Sequence, residues 1–205
     1  MDRSEREVFK RWMDISVSLL LLFLLAPLFF IIALLIKLDS RGPVFYKQKR
    51  IGKDGKPFTF LKFRSMHWNA DQSLHKKFVE DFMQGKTKEY KLKRDPRVTR
   101  VGYFLRRTSL DELPQLINVL KGEMSLVGPR PPIEYEVEMY DERAKKRLSV
   151  KPGITGEWQC SGRSQVPFEK MIEMDLKYVE SWSLSRDIVL LMKTFFVVLS
   201  RKGAY

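Results

Sequence analysis

Two adjacent carboxylates, Asp111 and Glu112, are the side chains of this sequence whose types and spacing are best suited to chemistry. Arg106 and Arg107 shortly precede them, in a chain whose net charge is +13. In such a pair, one carboxylate can bind Mg²⁺ while the other acts as a nucleophile or base. Because arginine side chains bind phosphate oxygens bidentately, the combination predicts chemistry on phosphate.

The same acids also fit an ordinary helix start. Ser109-Leu110-Asp111-Glu112 matches a capping box, and acids in a first helical turn complement the helix dipole. With Ser109 as the cap, Pro114 would fall inside the helix, where its missing N–H removes a regular hydrogen bond. A cap at Asp111, which places Pro114 in the first turn, is the competing register, and the sequence is consistent with both.

Five basic side chains lie near turns or at a strand end, and each is a candidate phosphate ligand. An arginine fixed on a proline- or glycine-defined turn binds phosphate at a lower ordering cost. The alternative is a generic basic surface that faces anionic lipid. No glycine-rich phosphate loop and no dinucleotide-binding fingerprint occurs, which disfavours the common kinase and dehydrogenase designs. The five residues are Lys62, Arg64, Arg106, Arg130 and Arg163.

The composition narrows the class of ligand without choosing one. The positive charge attracts nucleic acid, anionic lipid headgroups and phosphorylated small substrates alike. The single cysteine, Cys160, excludes an intramolecular disulfide and a cysteine-based zinc cluster. With only two histidines, His67 and His75, a bound metal is expected to be a hard cation held by carboxylate and phosphate oxygens.

A charge-free apolar run of 22 residues, 15–36, is predicted to attach the chain to a membrane. As a helix it matches a bilayer core of about 30 Å, and it is too long for the apolar core of a typical signal peptide. Pro27, near its middle, kinks or breaks a helix. Two arrangements therefore stay open, a kinked spanning helix and a helix that turns back to the side it entered.

The charges around the run favour the cytoplasm for the chain that follows it. Between Arg41 and Arg64 there are eight Lys or Arg residues and one Asp. The 14 residues before the run hold four acids and four bases and do not decide their own side. Lys10 and Arg11 lie close to the run, where we expect them to bind lipid phosphates.

The soluble part is predicted to be mainly α with a small β-hairpin. Asp54-Gly55 is a strong turn signal between two strands, 44–51 and 57–63. The final helix is either an interfacial helix on the membrane or a buried core helix. Loops are predicted at 151–156 and 161–163. Helices are predicted at about 66–90, 101–107, 113–120 (ended by Lys121-Gly122), 132–148, 167–180 and 184–201.

Five ordered motifs resemble those of the bacterial sugar transferases, the monotopic phosphoglycosyl transferases. They are 62–66 (KFRSM), 95–99 (DPRVT), 105–115 (LRRTSLDELPQ), 125–131 (SLVGPRP) and 151–156 (KPGITG). The similarity extends over essentially the whole chain and matches the minimal catalytic core of that family.

The resemblance implies transfer of a sugar 1-phosphate from a UDP-sugar to a polyprenyl phosphate, usually undecaprenyl phosphate, with Mg²⁺ and release of UMP. By similarity, Asp111 is the nucleophile that forms a covalent phosphosugar intermediate, and Glu112 holds the metal ion. The five basic residues named above match positions that contact phosphate or nucleotide, and Asp175 matches an acid near the site. This reaction begins glycoconjugate or exopolysaccharide assembly.

The resemblance also implies a re-entrant membrane helix. The family breaks that helix at a Ser-Pro pair, whereas this chain has Ala26 before Pro27. We therefore predict a re-entrant membrane helix at 1–40, with interfacial helices and a compact cytoplasmic, membrane-associated catalytic domain at 41–205, as one functional unit. The expected location is the cytoplasmic face of a bacterial inner membrane.

The expected partners are a UDP-hexose such as glucose or galactose, polyprenyl phosphate and the phospholipid membrane, with no nucleic acid. The sequence does not identify the sugar or the oligomeric state, and it allows a homodimer. In a mechanistic alternative, Asp111 acts as the base of a direct transfer. In a functional alternative, the chain is a non-catalytic membrane-anchored basic protein that binds anionic lipid or nucleic acid, with an affinity that falls steeply with salt.

Overall fold

The protein is mainly helical with a small β-hairpin, as predicted. The computed structural model describes residues 3–71, 73–87 and 95–200. The strands are β1 (Phe45–Ile51), β2 (Pro57–Phe63), β3 (Ser125–Val127) and β4 (Gly153–Thr155). The helices are α1 (Arg3–Leu24), α2 (Ala26–Asp39), α3 (Ser73–Met83), α4 (Arg100–Thr108), α5 (Gln115–Lys121), α6 (Glu134–Glu138), α7 (Glu142–Lys145), α8 (Glu157–Ser161), α9 (Phe168–Glu180) and α10 (Leu184–Ser200). Short 3₁₀ turns occupy Lys53–Gly55, Leu110–Glu112, Lys146–Ser149 and Arg163–Gln165.

The apolar run forms two helices rather than one. α1 and α2 meet at Leu25, and Pro27 lies in the first turn of α2, where its missing N–H removes no helical bond. Within the described ranges no single helix is long and apolar enough to cross a bilayer, whereas the pair, bent by 62°, meets that requirement of length and composition. The break predicted at Pro27 is confirmed. Side chains such as Phe23, Phe30 and Leu38 are exposed on the pair.

The start of α1 is held by elements that follow α2 in the chain. Lys10 Nζ contacts Asp187 Oδ2 at 2.5 Å and donates to the Val127 carbonyl at 3.0 Å. Buried Asp14 accepts bonds from the Ser125 hydroxyl at 3.1 Å and from a backbone N–H of β3. We call this cluster, which also includes Arg11, the N-terminal clamp.

Arg11 caps the C-terminal end of α5. Its guanidinium donates to the carbonyls of Val119 and Leu120 at 2.6 and 2.7 Å, near the end of α5. Lys10 and Arg11 thus have partners within the protein, and their contact with lipid phosphates stays a prediction. The Lys10 ammonium and the Arg11 guanidinium point into the protein. A buried carboxylate pairs with the first, and the carbonyls at a helix C-terminus accept bonds from the second, in place of water.

The end of α2 is held by the same part of the chain. The Asp39 carboxylate accepts the Val101 N–H at 3.1 Å, at the start of α4. Ile32 and Ile36 pack into a buried cluster with Phe63 and Leu105. Both ends of the bent pair are thus attached to elements that follow it in the chain.

The β-hairpin forms where the turn signal predicted it. β1 and β2 pair antiparallel, with Phe45 opposite Phe63 and Ile51 opposite Pro57. Asp54 and Gly55 in the turn have φ of 56° and 75°. These positive values suit Asp and Gly, so the two-strand prediction is confirmed.

A second, parallel pair of strands was not predicted. β3 pairs with β4 within the stretch 151–156 that the sequence suggested was a loop. Each strand has only three residues, too few for an alternating pattern. A Cβ on Gly153 would lie 2.0 Å from the backbone N of Gly128, so the close approach of the two chains requires glycine there.

Two predicted helices differ from the structure. The helix expected at 66–90 is confirmed only as α3, since Met66 instead forms a strand-like bridge with Val98, and residues 88–90 lie outside the described ranges. The helix expected to reach 148 is three short pieces, α6, α7 and the 3₁₀ turn that follows. Asp141 begins α7 by accepting the Ala144 N–H, which interrupts a continuous helix.

The last two helices lie close to their predicted positions. α9 and α10 end at Glu180 and Ser200, and residue 201 is outside the described ranges. α10 buries Asp187 and Leu190 but exposes several large apolar side chains, including Phe195 and Phe196, so it is not a buried core helix. Its contact with a membrane stays a prediction.

Candidate active site

The acidic pair lies on a 3₁₀ turn between two helices. Ser109, in the left-handed region with φ of 59°, ends α4, and its side chain caps nothing. Pro114 directly precedes α5, where a missing N–H has no cost. The capping box is therefore absent: Ser109 stands at the N-cap position of the 3₁₀ turn that holds both acids, but its side chain accepts no capping bond. The alternative register is wrong as well, because Asp111 lies inside that turn and caps no helix.

Lys62 lies beside both acids. Its Nζ is 2.7 Å from Glu112 Oε1 and 3.8 Å from Asp111 Oδ2. The side chain of Asp111 is 9% exposed, that of Lys62 19% and that of Glu112 31%. The ammonium group also lies 5.5 Å from the centre of the Phe60 ring. The turn therefore presents two carboxylates and a cation together at the edge of the domain, with Asp111 the most enclosed.

Asn118 holds the strand that carries Lys62 against the helix that follows the acids. Its amide donates to the Thr59 carbonyl at 2.7 Å and accepts the Leu61 N–H at 3.1 Å. The side chain of Asn118 is fully buried and also donates to Glu123. Sequence reasoning missed this residue. Its signal was an amide side chain among the apolar residues of α5, since a buried amide must find hydrogen-bond partners.

Arg163, which follows the acidic pair much later in the chain, lies within electrostatic reach of Glu112. Burial lowers the pKa of its guanidinium, and the negative charge of Glu112 opposes that effect. Its backbone has φ of 52°, at the start of a 3₁₀ turn after α8. Among the described residues it donates no hydrogen bond. The guanidinium is thus close enough to act on Glu112 and retains its capacity to bind an anion.

The acidic pair could hold a hard cation. No group of three or more His, Cys, Asp or Glu residues that could bind a metal occurs within the described ranges. Mg²⁺, however, is commonly held by one or two carboxylates together with substrate phosphates. Asp111 and Glu112 supply suitable oxygens, and the Lys62 ammonium at 2.7 Å shows that a cation is accommodated against Glu112.

Arg64 does not belong to this site, which corrects its prediction as a phosphate ligand. Its Nε donates to Pro43, its Nη1 to Ser40 Oγ and to the Arg41 carbonyl, and its Nη2 to the carbonyls of Ser40 and Ile36. The residue as a whole is only 3% exposed. Its donors are engaged by the chain at the end of α2, which makes Arg64 a C-terminal cap of the apolar pair.

Asp175 is also an internal residue. It is 1% exposed and forms an ion pair with Arg147, whose guanidinium also donates to the Tyr140 hydroxyl. Burial raises the pKa of Asp175 to about 6, against the opposing charge of Arg147. The expectation that Asp175 serves as an acid of the site is therefore corrected to a structural role, because its carboxylate is already paired with Arg147.

Arg130 lies on the wall of a small cavity that none of Asp111, Glu112 and Lys62 lines. Its carbonyl accepts a bond from Arg147 at 3.3 Å, so the ion pair with Asp175 supports the Arg130 loop. Aromatic side chains such as Tyr140 and Trp158 also line this cavity. A phosphate or nucleotide contact by Arg130 stays a prediction.

Arg106 lies in the last turn of α4 and acts electrostatically on Asp95, which is paired with Arg97 at 2.7 Å. A direct phosphate contact by Arg106 likewise stays a prediction. The structure therefore groups Asp111, Glu112 and Lys62, with Arg163 within electrostatic reach of Glu112.

Known proteins are similar to this chain over nearly its whole length. A family model described as bacterial sugar transferase matches residues 5–201. An undecaprenyl-phosphate galactose phosphotransferase of Salmonella typhimurium is 46% identical over 205 residues, which are 99% of this chain and 43% of that protein. The UDP-glucose:undecaprenyl-phosphate glucose-1-phosphate transferase of Escherichia coli is 44% identical over 206 residues, 97% of this chain and 42% of that protein.

A shorter relative matches more completely. The exopolysaccharide production protein ExoY of Sinorhizobium fredii is 44% identical over 201 residues, which are 97% of this chain and 88% of that protein. The chain thus spans less than half the length of the two phosphotransferases and most of ExoY.

Proposed function

The chain belongs to the bacterial sugar transferase family, and we propose that it transfers a sugar 1-phosphate from a UDP-sugar to polyprenyl phosphate, with release of UMP. The names of two relatives, a galactose and a glucose phosphotransferase that act on undecaprenyl phosphate, support this reaction class and a UDP-hexose donor. The product would begin exopolysaccharide or other glycoconjugate assembly, as the name of ExoY suggests for that relative.

One observation carries the proposal: an enclosed carboxylate, Asp111, lies beside a second acid and a lysine on a turn that contains no regular helix. A carboxylate nucleophile needs cations nearby that offset the charge of an approaching diphosphate. Lys62 and Arg163 are placed to supply them. The Lys62 ammonium can exchange its contact with Glu112 for a phosphate oxygen, since its reach covers both acids.

The proposed reaction has two steps at one phosphorus atom. A carboxylate oxygen of Asp111 attacks the β-phosphorus, the bond from that phosphorus to the oxygen bridging the α-phosphate breaks, and UMP leaves with that oxygen. A phosphate oxygen of the polyprenyl acceptor then attacks the same phosphorus and releases the Asp111 carboxylate. Glu112 and the substrate phosphates would hold Mg²⁺, which neutralises the diphosphate charge when bound.

The proposed location is the cytoplasmic face of a bacterial inner membrane, with α1 and α2 as a re-entrant pair. The support is that both ends of the pair are bonded to the chain that follows it. Lys10 binds Asp187 and Asp14 binds Ser125 at one end. At the other end Asp39 accepts the Val101 N–H, and the Ser40 carbonyl accepts a bond from Arg64. A chain crossing the bilayer once would place these two ends on opposite faces, and the bonds at one end would have to break.

Phosphorus labelling tests the two-step reaction. Purified protein is incubated with UDP-glucose or UDP-galactose carrying ³²P at the β-position, without acceptor. We expect UMP release and label on the peptide that contains Asp111, followed by loss of the label when undecaprenyl phosphate is added. UMP release that requires the acceptor, with no label on protein, would instead establish direct transfer with Asp111 as a base.

Cysteine labelling tests the membrane arrangement. Ser4→Cys and Arg41→Cys are made separately in a Cys160→Ser background and treated with a membrane-impermeant maleimide. We expect neither to react in sealed spheroplasts and both to react after permeabilisation. Reaction of Ser4→Cys alone in sealed spheroplasts would show a spanning helix.

A further inference from the structure

A group of basic side chains meets at the end of α5, away from the acidic pair. Lys151 Nζ and Arg11 Nη2 lie 3.6 and 3.5 Å from the point that a Cβ on Gly122 would occupy, so the two nitrogens are at most 7.1 Å apart. Lys53 and Lys10 also act electrostatically on Lys151. Because Gly122 has no side chain, the space between the two cations is open.

Lys151 has no bonded counter-ion among the residues that the structure describes. Within the part of the chain that the structure describes, it forms neither a hydrogen bond nor an ion pair. Asp14 attracts it electrostatically, but that carboxylate is already bonded to the Ser125 hydroxyl and to the backbone of β3. Arg11 is positioned by the α5 carbonyls, which fixes its guanidinium without neutralising its charge.

The surroundings of Lys151 disfavour its charge. Burial lowers the pKa of its ammonium group, and the nearby charges of Arg11 and Lys53 lower it further. A half-buried cation of this kind gains stability from an anion that enters the same space.

We propose that Lys151 and Arg11 bind one phosphate group between them, over Gly122. Each bond from a cationic N–H to a phosphate oxygen spans about 2.8 Å, so one phosphate can bridge two nitrogens at this separation. Guanidinium and ammonium groups together favour a ligand with several anionic oxygens over a single carboxylate.

Two sources of that phosphate fit the position of the site. Arg11 precedes the start of the charge-free run by four residues, about 6 Å along a helix. A phospholipid headgroup at the membrane surface is therefore within reach, and so is a soluble phosphate. The site includes none of Asp111, Glu112 and Lys62, so its test does not depend on sugar transfer.

Amine footprinting on the unmodified protein tests the proposal. Acetylation of Lys151 and of Lys121, an exposed lysine at the end of the same helix, is measured by mass spectrometry in a phosphate-free maltoside detergent. Inorganic phosphate at ten times its dissociation constant should slow acetylation of Lys151 by about tenfold, because the bound anion covers the amine and keeps it protonated. Acetylation of Lys121 should change much less.

A lipid arm separates the two sources. The same measurement is made in bilayer discs of phosphatidylglycerol without added phosphate. Protection of Lys151 in detergent by phosphate supports a soluble ligand, and protection in the discs alone supports a headgroup. Absence of selective protection in both arms overturns the proposal.

Variants give a second measurement. Calorimetric titration of phosphate should show about tenfold weaker binding for Lys151→Gln, and binding close to the parent value for Lys151→Arg and Lys121→Gln. Binding by Lys151→Gln at the parent affinity would also overturn the proposal. If that variant does not fold, the footprinting result on the parent protein decides.

Discussion

The acidic turn (the 3₁₀ turn Leu110–Glu112) and the N-terminal clamp both place lysine beside carboxylates, but the two groups have different roles. In the clamp, Asp187 is completely buried and bonded to Lys10, to the Tyr178 hydroxyl at 2.7 Å and to Trp182 at 3.0 Å. In the turn, Lys62 is shared unequally by two acids, and Glu112 is 31% exposed. Saturated charges stabilise a fold, whereas charges with spare capacity at a surface can bind a ligand.

The difference predicts that variants of the turn lose activity while variants of the clamp lose stability. The largest effect is expected for Asp111→Asn, which keeps the size of the side chain and removes the nucleophile. Transfer should fall by at least about 10⁴-fold, with little change in melting temperature. A UMP-release assay and a thermal melt in detergent check this, with Asp54→Asn in the hairpin turn as the matched control. Undiminished turnover would remove Asp111 from its proposed role.

Asp187→Asn should give the opposite pattern. It leaves the Lys10 ammonium next to Val127 without its charge partner, and breaking a buried ion pair costs about 3 kcal/mol or more. We expect a melting temperature lower by about 10 °C and nearly normal turnover per folded molecule. A melt and an active-site titration measure the two quantities. Normal stability would mean that the clamp is not a stabilising element.

Lys62→Met tests how much turnover at the acidic turn depends on the lysine ammonium. Removing a charge that faces a developing anion should lower turnover by about 10²-fold. Lys62→Arg should recover part of it, because a cation still reaches Glu112 and Asp111. The readout is the turnover number at saturating UDP-sugar, with Lys49→Met, an exposed lysine of the same hairpin, as control. Equal activity of Lys62→Met and the parent would contradict the role of Lys62.

Asn118→Leu should lower both stability and turnover, because Asn118 bonds the hairpin to α5, the helix that follows the acids. The Thr59 carbonyl and the Leu61 N–H lose their partner, at a cost of about 2 kcal/mol. Turnover should also fall moderately, since Lys62 follows Leu61 directly. A denaturant titration and the transfer assay measure the two effects. A loss of stability alone would show that Lys62 is positioned without Asn118.

The elements with local signals could be predicted from the sequence. Asp54-Gly55 marked the hairpin and Pro27 marked the helix break, because each acts through its own backbone geometry. β3 and β4 could not be predicted, since three residues carry no periodicity. The register of the acidic turn was missed because it depends on the left-handed conformation of Ser109, a residue that seldom adopts one.

The sequence predicted which residues belong to the candidate site better than it predicted the contacts between them. The acids, Lys62 and Arg163 were identified, but which basic side chain reaches which acid depends on tertiary packing. Arg64 belongs to the same short motif as Lys62, yet it turns to the opposite side and caps α2. Residues two positions apart share a face within a strand, but β2 ends at Phe63, so Arg64 does not follow that alternation.

The bond between Lys10 and Asp187 also bears on how the protein is made. The two residues are 177 positions apart. At a synthesis rate of 5–20 residues per second, Asp187 is added roughly 10–35 s after Lys10. The apolar pair α1–α2 is complete long before then, so it can reach the membrane while Lys10 still lacks its partner. Insertion would then precede closure of the soluble domain, and the final helix would lock the first one in place only when synthesis is nearly finished.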